Sequence, residues 1–299
     1  MSAPPFELAA AGRTLALGER PLLMGIVNAT PDSFSDAGAY PDLDARVQLA
    51  RDLLAEGADL IDVGGESAIT RRAPVEAAEE IERVAPLVAR LVGELGAVVS
   101  VDTYKPAVAE AAIAAGAVIV NDVSGLRDPE LAGVCARSGA ALVLMHTRAA
   151  PKQRLQDPAL YEDVMQDVVA FLGERMEVAR AQGVSDEQLL LDPGPDFAKT
   201  PAQTIAVLRR FSELHALGRP LLLAVSRKDF VGALTRRGPR ERLAGTLAAT
   251  GFGVDAGAHV LRVHDVALTA EYLRVRAALR GELEVDPGLM LDETLRHAR

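Results

Sequence analysis

Cysteine, tryptophan and long apolar runs are what this sequence has least of. The chain of 299 residues contains one cysteine and no tryptophan, and aromatic residues make up 4% of it. A lone Cys135 cannot form an intramolecular disulfide, which argues against a disulfide-stabilised secreted domain. No apolar run approaches the ~18 residues of a membrane helix, and no basic stretch followed by an apolar one opens the chain. We therefore expect a soluble, cytoplasmic protein.

Positive charge is also in short supply. Lysine and arginine together number 32 against 42 acidic residues, which gives a formal net charge of -10. Such a chain is a poor partner for a nucleic-acid backbone or an anionic membrane, although a local basic pocket for a small anion is compatible with it. Apolar residues make up 49% of the chain, enough for a large core. With no low-complexity linker, residues 1–299 are predicted to form a single domain.

Short apolar segments that end on polar residues recur along the chain. An apolar run of this length predicts a buried strand, and ligands commonly bind beyond the ends of buried parallel strands. The first segment is Leu22–Val27, followed by Asn28 and a polar loop that contains proline. The other predicted strands are Leu60–Asp62, Val99–Asp102, Val118–Asp122, Leu142–His146, Leu189–Asp192, Leu221–Ser226 and Val260–Asp265.

Helical patterns alternate with these strands. Apolar residues recur at spacings of three and four, as in Val47, Ala50 and Leu54. Thr200-Pro201 and Asp128-Pro129 have the form of capped helix starts. Glycines expected to end helices stand at Gly57, Gly116, Gly139 and Gly183. Ahead of the first strand, Phe6–Leu17 predicts a β-hairpin that covers the closed end of the sheet.

Eight strands that alternate with helices can close into a barrel or spread into an open doubly wound sheet. Polar residues follow every predicted strand of this chain. In a barrel all strand ends open onto one mouth, whereas an open sheet needs polar ends only near its switch point. We therefore predict an α/β fold, a (β/α)8 TIM barrel with an N-terminal β-hairpin.

Side chains that can bind a ligand would surround the mouth of such a barrel. Carboxylates and carboxamides together can hydrogen-bond a flat heterocycle that carries several N–H groups. Arg262 and His264, two residues apart on one strand, project to the same side and with Asn28 could hold a diphosphate and a divalent cation. The candidates at the mouth are Asn28, Asp62, Glu66, Asp102, Asn121, Asp122, His146, Asp192, Lys228, Arg262 and His264.

Each candidate also has a purely structural interpretation. A lone aspartate at a strand end is more often a cap or a turn residue than a ligand, and Asp192-Pro193-Gly194 has the form of a turn. His146 is as readily a satisfied buried histidine, and Glu66 a salt-bridge partner. Glu79-Glu80 is typical of a solvated helix face. The joint occurrence of Asp, Asn, Lys, Arg and His at successive strand ends is what favours function.

Several ordered blocks resemble the signature of dihydropteroate synthases. They are Met24–Asp36, Ile61–Ser67, Val101–Lys105, Asn121–Val123, Asp192–Gly194, Ser226–Lys228 and Arg262–Asp265, in the family's order, within about Leu22–Leu279. The resemblance implies a TIM barrel, usually a homodimer, and a transferase of folate biosynthesis. Such an enzyme joins 6-hydroxymethyl-7,8-dihydropterin diphosphate to p-aminobenzoate, releases diphosphate, uses Mg2+ and is a sulfonamide target.

The same resemblance implies roles for individual residues. The pterin would be bound by Asp102, Asn121, Asp192 and Lys228, with Arg262 packed against it. The diphosphate would be held by Asn28, Arg262 and His264, with Asn28 as the protein's ligand to Mg2+. The p-aminobenzoate side would include Phe34, Thr70, Arg71 and Asp229. Catalysis would depend on Lys228, Arg262, His264 and Asp102.

The departures from the family pattern concentrate on the p-aminobenzoate side. The loop Glu66–Pro74 is about two residues longer than the usual Glu-Ser-Thr-Arg-Pro-Gly, and Pro195–Ala198 replaces Ile-Gly-Phe-Gly. Asp229 stands where Ser or a basic residue is more usual, at a predicted helix start that would accept the p-aminobenzoate carboxylate. An aspartate there can cap the helix and repel a second carboxylate.

Three hypotheses follow from this pattern. The chain is a working synthase with a remodelled second-substrate pocket, which predicts weak p-aminobenzoate affinity and reduced sulfonamide sensitivity. Alternatively, it is a paralogue that binds a pterin without condensing p-aminobenzoate, or that uses another acceptor. A methyltetrahydrofolate-binding methyltransferase domain is the third candidate, and it has no need of the diphosphate-binding set. The sequence favours the synthase.

Overall fold

Eight parallel strands form the centre of the computed structural model, which describes residues 3–30, 42–66 and 74–296. A hairpin of β1 (Phe6–Ala10) and β2 (Arg13–Leu17) precedes them. The barrel strands are β3 (Leu22–Asn28), β4 (Leu60–Gly64), β5 (Val99–Asp102), β6 (Ile119–Asp122), β7 (Ala141–Met145), β8 (Leu189–Asp192), β9 (Leu222–Leu223) and β10 (Val260–Val263).

The strands form a closed ring. From β3 to β8 each strand pairs with the next one along the chain, and β10 lies between β9 and β3, with Val260 opposite Leu22. The seam between β8 and β9 is a parallel bridge between Leu191 and Leu221 and a hydrogen bond of 3.0 Å from Leu191 N to Pro220 O. This closure confirms the predicted (β/α)8 barrel, because in an open sheet β8 and β9 would lie at opposite edges and would not contact each other.

Helices surround the ring in the order that the sequence predicts. They are α1 (Leu43–Ala55), α2 (Ala77–Leu95), α3 (Pro106–Ala114), α4 (Glu130–Ser138), α5 (Val164–Ala181), α6 (Pro201–Arg209), α7 (Asp229–Thr235), α8 (Leu243–Asp255) and α9 (Val266–Leu279). Short 3-10 helices cover Asp186–Gln188, Phe211–Leu217, Pro239–Glu241 and Glu293–Leu295.

Two helix starts show how the local sequence sets these boundaries. Thr200 caps α6 by accepting a hydrogen bond from Gln203 N, and Pro201 occupies the first helical position as predicted. The helix α4 begins one residue later than its predicted start, because Pro129 is the cap residue and Asp128 accepts the N–H of Glu130. The glycines predicted to end helices all have positive φ, namely Gly57, Gly116, Gly139 and Gly183.

The hairpin closes the end of the barrel opposite the strand exits. Ala11 and Gly12 both have positive φ, which gives the two-residue turn that suits strand twist. The apolar residues Leu8, Ala10 and Leu17 are buried in one cluster with residues near the starts of the barrel strands. The imidazole of His259 lies 2.9 Å from Pro4 O through Nε2, and its Nδ1 accepts the N–H of Leu221 at 3.0 Å. This end is therefore packed, and the strand exits form the open mouth.

A second apolar layer lies between the strands and the helices. Helix α2 is representative, because Val84, Leu87, Val88 and Leu91 recur at helical spacing and are fully buried against the sheet. Packing on this layer fixes the helices, and so the loops that follow each strand. Among the described residues, no helix combines the length and apolar character needed to cross a bilayer.

Candidate functional site

A guanidinium that bridges two carboxylates lies at the centre of the barrel mouth. Arg262 Nε donates to Asp62 Oδ2 at 2.6 Å, and a terminal nitrogen of Arg262 donates to Asp102 Oδ2 at 2.9 Å. Asn121 Nδ2 donates to the same Asp62 oxygen at 3.1 Å. The four residues come from β10, β4, β5 and β6, which meet here because parallel strands place their carboxyl ends together. The sequence predicted all four at the mouth, and the structure brings them into one network.

The electrostatics of this network leave acceptors for a ligand. Asp62 is fully buried, and its Oδ1 atom has no hydrogen-bond partner within the part of the chain that the structure describes. Burial raises the pKa of Asp102 to about 7, with Asp62 adding to the rise and Arg262 opposing it. Although burial acts to lower it, the pKa of Arg262 is raised by Asp62 and Asp102. Two carboxylates that share one cation suit a ligand that donates N–H groups.

A second group lies at the ends of β8 and β9. Asp192 Oδ1 accepts the N–H of Gly194 at 2.7 Å, so the predicted turn is present and uses this carboxylate. The ammonium of Lys228 lies 4.3 Å from the centre of the Phe197 ring, within cation–π range. Burial raises the pKa of Asp192 and lowers that of Lys228. An acceptor and a cation next to an aromatic ring form a wall suited to a flat ligand.

Asn28 and His264 lie at the ends of β3 and β10. A methyl group added to Gly64 would lie 3.9 Å from both Asn28 Oδ1 and Asp102 Oδ2, so the glycine leaves space between them. His264 Nδ1 lies 2.9 Å from Ser226 Oγ, which also accepts the His264 backbone N–H at 3.2 Å. Ser226 thus orients the imidazole, a role that the sequence analysis did not assign to it.

Glu66 lies in an ionic cluster beside the mouth. Its carboxylate lies 2.5 Å from Lys105 Nζ and 3.1 Å from Lys152 Nζ, and accepts the hydroxyl of Tyr104 at 3.2 Å. This matches its interpretation as a salt-bridge partner. Glu80 also pairs with Lys105 and is fully buried, so its predicted place on a solvated helix face is wrong. The Lys105 ammonium accounts for this, because it provides a buried partner on the neighbouring element.

Asp122 and His146 are satisfied within the fold. Asp122 accepts the backbone N–H groups of Ser124 at 2.8 Å and Leu126 at 2.5 Å, which makes it a turn residue. His146 is buried, and its Nε2 lies 2.9 Å from Asp167 Oδ2. These contacts agree with the structural interpretations given above, in which Asp122 is a turn residue and His146 a buried histidine with its hydrogen bonds satisfied.

The residues assigned to the p-aminobenzoate side are only partly described. Phe34, Thr70 and Arg71 lie outside the described residues. Asp229 is the first residue of α7, its side chain is 64% exposed, and it pairs with Arg242 at 3.1 Å. The carboxylate that reaches the first turn of α7 is instead that of Asp196, which accepts the N–H of Phe230 at 3.2 Å.

Lys199 is a further buried residue at this end of the barrel, and it was not among the predicted site residues. Its side chain is fully buried, and its ammonium contacts the ring of His146 and two backbone carbonyls. The sequence held one signal for it: Lys199 directly follows Pro195–Ala198, the segment that departs from the family pattern. A lysine in a predicted loop is otherwise expected to be exposed.

Comparison with known proteins agrees with this fold and mouth. A family model described as "Pterin binding enzyme" matches residues 24–264. The chain is therefore a member of the pterin-binding barrel class.

The particular family follows from individual relatives. A dihydropteroate synthase of Bacillus subtilis is 41% identical over 266 residues, 89% of this chain and 90% of that protein. The structure of Xanthomonas albilineans dihydropteroate synthase with 4-aminobenzoic acid matches with a TM-score of 0.84 and 42% identity, over 93% of this chain and 99% of that one. The same enzyme with 7,8-dihydropteroate matches with a TM-score of 0.79 and 39% identity, over 92% and 98%. This chain belongs to the dihydropteroate synthases.

Proposed function

We propose that the chain condenses 6-hydroxymethyl-7,8-dihydropterin diphosphate with p-aminobenzoate to give 7,8-dihydropteroate and diphosphate, as one barrel domain. The observation that carries this proposal is the Arg262-bridged pair Asp62 and Asp102 at the mouth of a barrel of this family. Membership of the synthase family supports condensation over a pterin-binding paralogue or a methyltransferase domain.

The pterin would lie across the barrel mouth. Its ring N–H and amino groups would donate to Asp102 and Asp192, and Asn121 would both donate and accept. Lys228 and Arg262 would contact the ring from either side. Because these side chains are already held by one another and by Gly194 N, little ordering is needed when the pterin binds.

The diphosphate would lie toward Arg262, His264 and Asn28. Ser226 can donate its hydroxyl proton to His264 Nδ1, which leaves Nε2–H as a donor to a phosphate oxygen. Arg262 would supply a second cation-assisted contact. These groups would stabilise charge that grows on the diphosphate as it leaves.

The donor set suits a magnesium ion that arrives with the substrate. Among the described residues, no group of three His, Cys, Asp or Glu side chains is placed to hold a metal. Mg2+ commonly keeps several waters and binds substrate phosphates with few protein oxygens, and the carboxamide of Asn28 fits that mode. When bound, Mg2+ would neutralise charge on the departing diphosphate.

The reaction then depends mainly on positioning. The C–O bond to the diphosphate breaks, and the pterin ring spreads the positive charge that develops on the exocyclic carbon. The uncharged amine of p-aminobenzoate forms the new C–N bond and loses a proton. The side chains need not generate this nucleophile, so its placement against the pterin sets the rate.

The p-aminobenzoate side is where this chain would differ from its relatives. Asp196 and Asp229 place two carboxylates near the start of α7, and Arg242 offsets only the second. We expect weaker p-aminobenzoate binding and reduced sulfonamide sensitivity as a result. In Asp229→Ser, p-aminobenzoate affinity and sulfonamide sensitivity should both increase. Sulfonamide inhibition of the unaltered protein equal to that of the Bacillus subtilis dihydropteroate synthase would count against this part of the proposal.

The test of the activity is product formation by the purified protein. Dihydropterin diphosphate, p-aminobenzoate and Mg2+ should yield 7,8-dihydropteroate, and calorimetry should detect pterin diphosphate binding without p-aminobenzoate. Tight pterin binding without product would instead identify the non-condensing paralogue. Asn28→Ala should raise the Mg2+ concentration needed for half-maximal rate.

We further propose a cytoplasmic homodimer that pairs through α8 and α9. Leu268, Val275 and Leu279 follow one face of α9 at spacings of seven and four, and they are 43%, 60% and 84% exposed. Phe252 on the neighbouring α8 is 51% exposed. An apolar stripe of this kind suits a second copy of the chain. Sedimentation should give a dimer, and Val275→Glu should give a monomer.

A further inference from the structure

Lys199 places a buried ammonium directly behind the wall formed by Asp192, Phe197 and Lys228. Its side chain is fully buried, and Nζ lies 2.7 Å from His146 Nδ1, 3.0 Å from Gly194 O and 3.1 Å from Phe197 O. An ammonium has three N–H donors, and three acceptors are present. The contacts therefore match the charged form of this lysine.

The direction of the His146 contact follows from its other neighbour. Asp167 accepts two hydrogen bonds from Arg148, at 3.0 and 2.6 Å, and lies 2.9 Å from His146 Nε2. Although burial opposes it, His146 and Arg148 hold the pKa of Asp167 well below its usual range, so this carboxylate only accepts. His146 must then donate from Nε2 and accept at Nδ1, which makes Lys199 the donor.

The segment that Lys199 contacts, residues 193–198, has an unfavourable backbone. Asp196 and Ala198 have φ of 65° and 51°, in the left-handed region that costs non-glycine residues free energy. Gly194 also has positive φ, and a Cβ there would collide with the carbonyl oxygen of His146. Such conformations persist only where surrounding contacts hold them. Lys199 supplies two of those contacts.

Residues 193–198 connect Lys199 to the wall formed by Asp192, Phe197 and Lys228. The N–H of Gly194 is held by Asp192 at 2.7 Å, while its carbonyl is held by Lys199. Phe197, whose carbonyl Lys199 also holds, places its ring 4.3 Å from the Lys228 ammonium. A change at Lys199 would therefore move the groups on both sides of this wall.

We propose that Lys199 is a positioning residue for the pterin substrate, which fixes residues 193–198 so that Asp192 and Lys228 meet the pterin in one arrangement. This inference rests on the proposed function, because the ligand is the pterin diphosphate. It needs binding only, so it can be tested whether or not the protein condenses p-aminobenzoate.

The arrangement should also depend on pH. A neutral amine has two protons for three acceptors, so deprotonation removes one of the contacts that hold the segment. Burial lowers the pKa of Lys199 to about 7. The charged groups that face it are Asp192, Asp167, Lys228 and Asp196, and the neighbouring imidazole is that of His146, whose pKa burial lowers to about 4. The advantage in pterin affinity that Lys199 gives, measured as the ratio of affinities of the unaltered protein and Lys199→Met, should fall as pH rises above about 7. Ionisation of Asp102, whose pKa is also raised to about 7, should affect both proteins alike.

The experiment compares Lys199→Met with Met176→Ala by calorimetry with the pterin diphosphate. Lys199→Met keeps an unbranched side chain, one atom shorter, and removes every donor. Met176 is buried in the apolar core on α5 and controls for lost stability. We expect Lys199→Met to weaken binding about tenfold, and to raise KM for the pterin more than it lowers kcat. Met176→Ala should leave binding unchanged. The difference in affinity between the unaltered protein and Lys199→Met should shrink above pH 7.

A second measurement uses the unaltered protein, in case Lys199→Met does not fold. Nitrogen-15 NMR of the histidine rings should show His146 protonated at Nε2, and its Nδ1 signal should shift as Lys199 titrates. Unchanged pterin affinity in Lys199→Met, or an Nδ1-protonated His146, would overturn the proposal. Equal losses in Lys199→Met and Met176→Ala would also overturn it, because the role would then be structural only.

Discussion

The single side chain of Arg262 holds two carboxylates at the centre of the mouth. Asp62 is fully buried and accepts from both Arg262 and Asn121, while Asp102 pairs with the other end of the same guanidinium. Without the guanidinium, a buried carboxylate would lie beside a second one with no cation between them. Arg262 therefore matters to the stability of the fold as well as to substrate binding.

Arg262→Met should lower both stability and activity. Breaking a buried ion pair costs about 3–5 kcal/mol, and we expect the lower end because the Arg262 side chain is 20% exposed. Removing a cation that stabilises developing charge should lower kcat/KM by about 10²-fold or more. Urea unfolding and steady-state rates would measure the two effects.

The control for this prediction is Arg13→Met, an exposed arginine on β2 at the opposite end of the barrel. It should change neither quantity. Adding Asp62→Asn to Arg262→Met should restore part of the stability, because it removes the unpaired charge, but none of the activity. If Arg262→Met alone were as stable as the unaltered protein, this account of the network would be wrong.

At the scale of elements, the loops that carry the site are held by the helices that follow them. Helix α6 begins at a capping box, in which Thr200 accepts the N–H of Gln203 and the Gln203 side chain accepts the N–H of Thr200. The Gln203 amide also donates to the carbonyl of Asp157 in the preceding loop, at 3.0 Å. The start of α6 thus joins two loops at the mouth.

Thr200→Ala should reduce the free energy of unfolding by about 1 kcal/mol, the usual effect of removing a side-chain cap. Chemical denaturation monitored by circular dichroism would measure it. Thr14→Ala, at an exposed position of β2, is the matched control and should have a smaller effect. An equal loss in the two variants would mean that the cap contributes nothing beyond threonine's own local preference.

The elements also show what could be predicted from the sequence. Each predicted strand runs through apolar residues to a polar residue, and this pattern located all eight barrel strands. It overestimated the strand at Leu221–Ser226, where only Leu222–Leu223 form a ladder. The residues that follow leave the sheet, because Ser226 contacts His264 and Arg227, with positive φ, pairs with Asp265.

The sequence predicted which residues lie at the barrel mouth better than it predicted which side chains contact one another. Position at a strand end places Asp62, Asp102, Asn121 and Arg262 together, because barrel geometry brings strand ends together. The burial of Lys199 and the pairing of Asp229 with Arg242 depend on elements that are distant in sequence. No local pattern encodes such contacts, so they could be found only in three dimensions.

For the whole molecule, the closed end of the barrel introduces a dependence on pH. Burial lowers the pKa of His259 to about 4, against 6.5 for an ordinary histidine. Between these values the unfolded chain binds more protons than the folded one, so the free energy of unfolding falls as pH falls from 6.5 to 4. Protonation would place a charge at the contact between His259 and the hairpin end of the barrel.

His259→Gln should remove this part of the acid sensitivity. The variant should be less stable than the unaltered protein at pH 7, because a buried contact to Leu221 N or Pro4 O is lost. The difference between the two should shrink as pH is lowered toward 4. Thermal unfolding across this range would measure it, and a difference that is constant with pH would show that His259 does not titrate in the fold.

The ring of strands is completed by β10, which pairs with β3 near the beginning of the chain and with β9 near its end. During synthesis on the ribosome, the six strands β3 to β8 can pair in chain order while both edges of the growing sheet remain unpaired. Long-range pairing of this kind is slow, and open strand margins promote association between chains. Until Val260–Val263 leave the ribosome, the nascent chain cannot close its sheet, so this interval is when it would depend most on chaperones.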